Sequence, residues 1–99
     1  MNDSNTFKNI ERPLLLQFSA AWCGPCKMLT PIVNQVEQKI NDLADVRRID
    51  VDEEGELSIK FSIRAVPTLV LLDKNGTIFW RHTGLISEQD LIQQIERLK

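Results

Sequence analysis

A compact apolar run, Leu14–Ser19, and a second segment that reads as a strand, Val46–Val51, flank a stretch in which Leu29, Ile32, Val33, Val36 and Ile40 recur every three or four positions. The first run holds Phe18 and lies between Pro13 and the Gly24-Pro25 turn, as expected of a strand buried on both faces. The recurring residues describe one apolar stripe of a helix over about 24–41, with Pro31 set to kink it. A strand, a helix and a second strand joined in this way imply a right-handed crossover and a parallel pair. Few other arrangements bury all three apolar surfaces at once.

The rest of the chain extends this unit. Asp52 is a candidate cap for a short helix that carries Leu57 and Phe61 on one side. Thr68–Leu72 reads as a third buried strand, and Asp73-Lys74-Asn75-Gly76 supplies hairpin-turn chemistry because Asn-Gly tolerates positive φ. Thr77–His82 then returns antiparallel, with Phe79 and Trp80 on opposite faces so that one of them is core. Ser87 followed by Asp90 resembles a capping box, opening a last helix that buries Leu91, Ile92, Ile95 and Leu98. At the other end, Ser4 is placed to cap a short helix reaching Asn9. The 99 residues therefore predict one α/β domain, residues 1–99, with a mixed sheet covered by helices on both faces.

Charge and composition remove several functions. Twelve Lys and Arg against fourteen Asp and Glu give a net charge of −2, which argues against nucleic-acid or anionic-membrane partners that need clustered positive charge. The longest charge-free stretch, Pro13 to Cys26, is broken by Gln17, Ser19, Gly24 and two prolines and is too short to span a bilayer. Asp3, Lys8, Glu11 and Arg12 near the start do not resemble a secretory leader, so a cytoplasmic protein is expected. Two cysteines and one histidine fall short of the four ligands of a closed zinc site, and Lys27 stands where haem attachment needs a histidine.

The chemistry concentrates in Trp22-Cys23-Gly24-Pro25-Cys26-Lys27. Two intervening residues allow the cysteine Cα atoms to approach within the roughly 4.4–6.8 Å that a disulfide spans. The motif also falls where a strand ends and a helix begins, so unpaired N–H groups and the helix dipole favour negative charge there. A thiol of pKa about 8.5 is only about 3% ionised at pH 7, and a drop of about 1.5 units, worth about 2 kcal/mol, makes it half thiolate. Cys23 gains most from that field, with help from Lys27 or the turn. Cys26, one turn further in, is expected to be the less exposed resolving thiol. Pro25 removes an N–H that would otherwise steady the thiolate, favouring a reducing couple, and Gly24 leaves room for a substrate chain.

The sequence Trp-Cys-Gly-Pro-Cys-Lys at 22–27 resembles the active-site signature of the thioredoxin family. The likeness continues in Phe18-Ser19-Ala20, Pro31, Asp50-Val51-Asp52, Val66-Pro67-Thr68 and Gly84, over nearly the whole chain. It implies a thioredoxin-like three-layer α/β/α fold. It also implies a protein-disulfide reductase, with Cys23 as nucleophile and Cys26 as resolving thiol. Such a carrier needs no bound cofactor beyond the cysteine pair. It takes disulfide-containing proteins as substrates, receives electrons from a flavin-dependent reductase using NADPH, and works as a monomer. Pro67 matches the family's cis-proline beside the disulfide. Trp22, Gly24, Pro25, Val66, Pro67, Gly84 and Leu85 would form a shallow docking surface on which the backbone of Val66 pairs with an extended substrate. Val66 and Leu85 also suit plain core packing.

Three departures stand out. Gln17 occupies the position where the family carries a buried aspartate that moves the proton of the resolving thiol. An amide does not titrate, so resolution by Cys26 should slow while attack by Cys23 is kept, unless Gln17 only satisfies backbone groups. Ser19 replaces a common aromatic. The 22 residues before Cys23 leave no room for the family's first strand and a full first helix, which predicts a four-stranded sheet. His82 reads as a surface residue, and Arg47 and Arg48 as solvated partners of Asp50, Asp52, Glu53 and Glu54, with Arg48 beneath the thiols as the other option. Two further functions compete with a general reductase: a carrier dedicated to particular partners, and a binding subunit that uses the docking surface without turnover.

Overall fold

The computed structural model describes residues 7–99, so the helix proposed from Ser4 lies largely outside the described residues, while residues 7–9 form a turn. The element order is β1 (Leu14–Ser19), α1 (Gly24–Lys39), β2 (Asp45–Asp50), α2 (Gly55–Lys60), β3 (Thr68–Leu72), β4 (Ile78–Thr83) and α3 (Glu88–Glu96). The strands form one four-stranded sheet in the order β2-β1-β3-β4. β1 and β2 pair parallel, as the crossover requires, while β3 runs antiparallel to both β1 and β4. The expected bounds hold to within two residues. β4 is displaced by one, and the β3–β4 register shifts between Leu71 and Leu72.

Alternation along the central strands divides the core in two. Leu15, Leu69 and Leu71 point to one face, where Leu29, Val33 and Val36 of α1, its C-cap Ile40, and Leu91 and Ile95 of α3 cover them. Leu16, Phe18, Val70 and Leu72 point to the other, against Leu57 and Phe61 at α2 and against Phe7 and Ile10 ahead of β1. Burial on both faces explains why β1 and β3 read as near-continuous apolar runs. α1 continues through Pro31, and Trp80 is the residue of its pair that joins the core, whereas the Arg97 guanidinium stacks over the exposed Phe79 ring at 5.1 Å.

The caps hold one confirmation and one correction. Ser87 caps α3, its hydroxyl accepting from the Asp90 N–H at 3.1 Å. Asp52 does not cap α2. The helix starts later, after Glu54, with no side-chain cap, because the Asp50 carboxylate collects the Asp52 and Glu53 N–H groups in a tight turn. β2 forms one edge of the sheet, and its outward residues are Asp45, Arg47 and Arg48. Arg47 pairs with Glu54 at 2.7 Å, as expected of the acidic run. Arg48 instead pairs with Glu37 on α1 at 2.9 Å, exposed, and so does not sit beneath the thiols.

Candidate active site

The site forms where β1 ends and α1 begins. Cys23 has extended backbone (φ −94°, ψ 111°) and is the N-cap of α1, a position usually filled by Ser, Thr, Asp or Asn. Its sulfur takes the role of their oxygen, accepting the Cys26 N–H at 3.1 Å. The capping atom and the reactive atom are therefore the same. Pro25, in the first helical turn, offers no N–H, and Lys27 is exposed with no contact to the sulfur among the described residues. Among the described residues, the backbone amide of Cys26 is thus the donor placed to steady a thiolate here.

The two sulfurs are joined in a disulfide with Cα atoms 5.3 Å apart. Cys26 was expected to be the less exposed, but burial barely separates them, at 4% exposed for Cys23 and 3% for Cys26. Position separates them instead. Cys23 stands at the cap, its sulfur 3.7 Å from the Val66 carbonyl oxygen, whereas Cys26 is inside the first turn. Ala20, Val51 and Val66 pack around the pair.

The other residues singled out by sequence converge on this point. The Val66–Pro67 peptide is cis. The Pro67 carbonyl accepts the Gly84 N–H at 2.9 Å, which brings the loop after β4 against the loop before β3. Gly84 has φ +101°, a conformation that favours glycine, and Leu85 beside it is exposed. Gly24 and Pro25 are exposed at the helix start, and Trp22 is 69% exposed, its indole N–H held by Asp52 Oδ2 at 2.9 Å. Trp22 and Val66 share a cleft of about 170 Å³ with Val51, Ser58, Ile63, Arg64 and Ala65. His82 is half-buried rather than a plain surface residue, its ring stacked on Trp80 and its Nε2 2.9 Å from the Leu85 carbonyl oxygen.

Gln17 lies beneath the motif, 1% exposed. Its amide N–H donates to Thr30 Oγ1 at 3.3 Å, and the Thr30 hydroxyl donates to the Cys26 carbonyl at 3.0 Å, so β1 is tied to the second turn of α1. Gln17 Oε1 is buried with no hydrogen-bond partner among the described residues. An orphaned acceptor costs about 1–3 kcal/mol, more than a long neutral bond returns. Gln17→Met, of similar volume, should therefore raise unfolding free energy by about 1 kcal/mol in urea titration. A loss of stability would show that Oε1 is satisfied in solution.

Comparison with known proteins agrees with this geometry. The thioredoxin family model matches residues 2–97. The chain belongs to the thioredoxin family. It is 39% identical over 83 residues to a thioredoxin of Rickettsia bellii, covering 84% of this chain and 78% of that protein. It is 38% identical over 86 residues to the chloroplastic thioredoxin Y of Oryza sativa, covering 87% of this chain and 51% of that protein. The chain thus spans about half the length of the plant chloroplast relatives it matches. Among solved structures, a Nicotiana alata thioredoxin superposes with a TM-score of 0.83 at 33% identity, covering 97% of this chain and 81% of that one. The three-layer fold is thus that of a thioredoxin, with a sheet of four strands among the described residues, and the cysteine pair occupies its redox centre.

Asp52, Thr30, Thr68 and Thr83 were not singled out in these roles from sequence. Thr68 Oγ1 donates to the Ala65 carbonyl at 2.7 Å and lies 3.1 Å from Thr83 Oγ1, which fixes the loop holding Val66 and Pro67. The signal for Thr68 was present in its place beside Pro67. No local pattern marks Thr30 or Asp52, because their partners are 13 and 30 residues away. Among the described residues no cluster of three or more His, Cys, Asp or Glu is placed to hold a metal ion.

Proposed function

We propose that this chain reduces protein disulfides by dithiol exchange, with Cys23 as the attacking and Cys26 as the resolving sulfur. The observation that carries the reading is the cap: Cys23 Sγ accepts the Cys26 N–H at 3.1 Å at the positive end of α1, where a thiolate is favoured. In the reduced protein the Cys23 thiolate attacks one sulfur of a substrate disulfide, forming a mixed disulfide and releasing the other substrate sulfur as a thiolate. The Cys26 thiol loses its proton and attacks Cys23 Sγ. The second substrate thiolate leaves, two electrons have passed to the substrate, and the Cys23–Cys26 disulfide remains.

An extended substrate segment is taken to pair with the backbone of Val66, bordered by Trp22, Gly24, Pro25, Pro67, Gly84 and Leu85. Gln17, in place of a titrating carboxylate, leaves the Cys26 proton to water and slows resolution. The reading extends to a monomer in a reducing, cytoplasm-like compartment, re-reduced by a separate flavin-dependent reductase. The likeness to chloroplastic relatives makes a plastid-type setting the competing location.

Reduction of insulin or a model disulfide with dithiothreitol as electron source tests the activity, and the redox potential tests its direction. We expect turnover and a potential more negative than about −200 mV. A value near −120 mV would identify an oxidant, and absence of turnover with both cysteines reduced would leave a binding subunit.

A further inference from the structure

Arg64 is the one charged residue of the roughly 170 Å³ cleft that Trp22 and Val66 line beside the disulfide. It is exposed, and among the described residues it makes no ion pair or side-chain hydrogen bond, whereas Arg12, Lys39, Arg47 and Arg48 are all paired. Asp52, which follows the cleft residue Val51, is engaged by the Trp22 indole. The other walls are apolar apart from the Ser58 hydroxyl, which donates to the Glu54 carbonyl at 3.2 Å. An uncommitted guanidinium on an otherwise largely apolar wall offers strong hydrogen-bond donors to a carboxylate and nothing to an ammonium group.

The geometry sets where that carboxylate must lie. A substrate cysteine bonded to Cys23 sits near the Val66 carbonyl, 3.7 Å from the sulfur. Arg64 lies two residues before Val66 in the loop ahead of β3, at most about 7 Å away along the chain, so its side chain reaches a substrate segment within a residue or two of the bonded cysteine. We propose that Arg64 is a specificity-determining residue that selects segments carrying Asp or Glu within two residues of the attacked cysteine. The proposal rests on the disulfide-reductase reading.

The test uses three mixed-disulfide peptides with Glu, Gln or Lys two residues to either side of the cysteine, reduced by the full chain at low and at 1 M salt. The expected order in kcat/KM is Glu over Gln over Lys, each step about two- to five-fold for at least one side, carried by KM. The order should shrink towards equality at 1 M salt, where the screening length is about 3 Å. Arg64→Gln should bring the Glu-to-Gln ratio to one, and Arg64→Lys should restore part of it. Equal rates for all three peptides, a preference for Lys, or a ratio unchanged in Arg64→Gln would overturn the proposal while leaving the reductase intact. No reduction of any peptide would overturn both.

Discussion

Replacing Cys23 with serine should bring disulfide reduction to background, a loss on the order of 10³-fold or more as expected when a covalent nucleophile is removed. A serine hydroxyl can occupy the N-cap and accept the Cys26 N–H, so the fold should survive while the nucleophile is lost. Cys26→Ser should behave differently. The first attack remains, but nothing displaces the substrate from Cys23, so one equivalent accumulates as a mixed disulfide. Mass spectrometry of the reduced variant mixed with a model disulfide, with no added dithiol, separates the two. Trapping on Cys26 in Cys23→Ser, rather than the reverse, would exchange the assigned roles. Because the two sulfurs are equally buried, this experiment also decides whether position at the cap is what distinguishes them.

The second large effect concerns stability. Gly76 closes the β3–β4 turn with φ +85°, its N–H donating to the Asp73 carbonyl at 2.9 Å. A Cβ added there would lie 1.7 Å from the Phe7 carbonyl oxygen. Gly76→Ala therefore meets both a left-handed backbone, at about 1–2 kcal/mol, and a collision with the segment ahead of β1. That segment carries the Phe7 ring, packed 6.0 Å from Phe61 and beneath the Arg47 guanidinium at 5.5 Å. We expect a total loss of about 2–4 kcal/mol, seen as a lower urea midpoint with the slope nearly kept. Gly55→Ala is the matching control. It opens α2 with nothing within 4 Å of the new methyl and no positive φ, and should gain about 0.4–1 kcal/mol. Equal midpoints for Gly76→Ala and the parent would mean that Phe7 does not rest against the turn.

These cases show what a single sequence conveys. The strands and helices were legible because each satisfies a local rule: period-two or continuous apolar runs in β1 and β3, a helical stripe in α1, and Asn-Gly at the hairpin. The cysteine site was legible because its residues lie within six positions. What depended on distant partners was not. Nothing near Asp52 says that its carboxylate is taken by Trp22, or that the Asp50 carboxylate closes the turn that moves the start of α2 past it. Arg48 found Glu37 across the crossover rather than the acidic run beside it, because α1 packs over the strand that carries it. The half-satisfied amide of Gln17 and the single uncommitted cation of the cleft were equally hidden, since satisfaction is a property of the assembled neighbourhood and not of residue type.

The sheet margin formed by β2 has its own consequence. A bare strand is a template on which a second molecule can add, and ladder growth of that kind ends in fibrils. Along Asp45–Asp50 a docking copy would have to strip water from two carboxylates and from the guanidinium groups of Arg47 and Arg48, which are engaged with Glu54 and Glu37. Among the described residues, charge along this flank therefore opposes the addition of a second copy to β2.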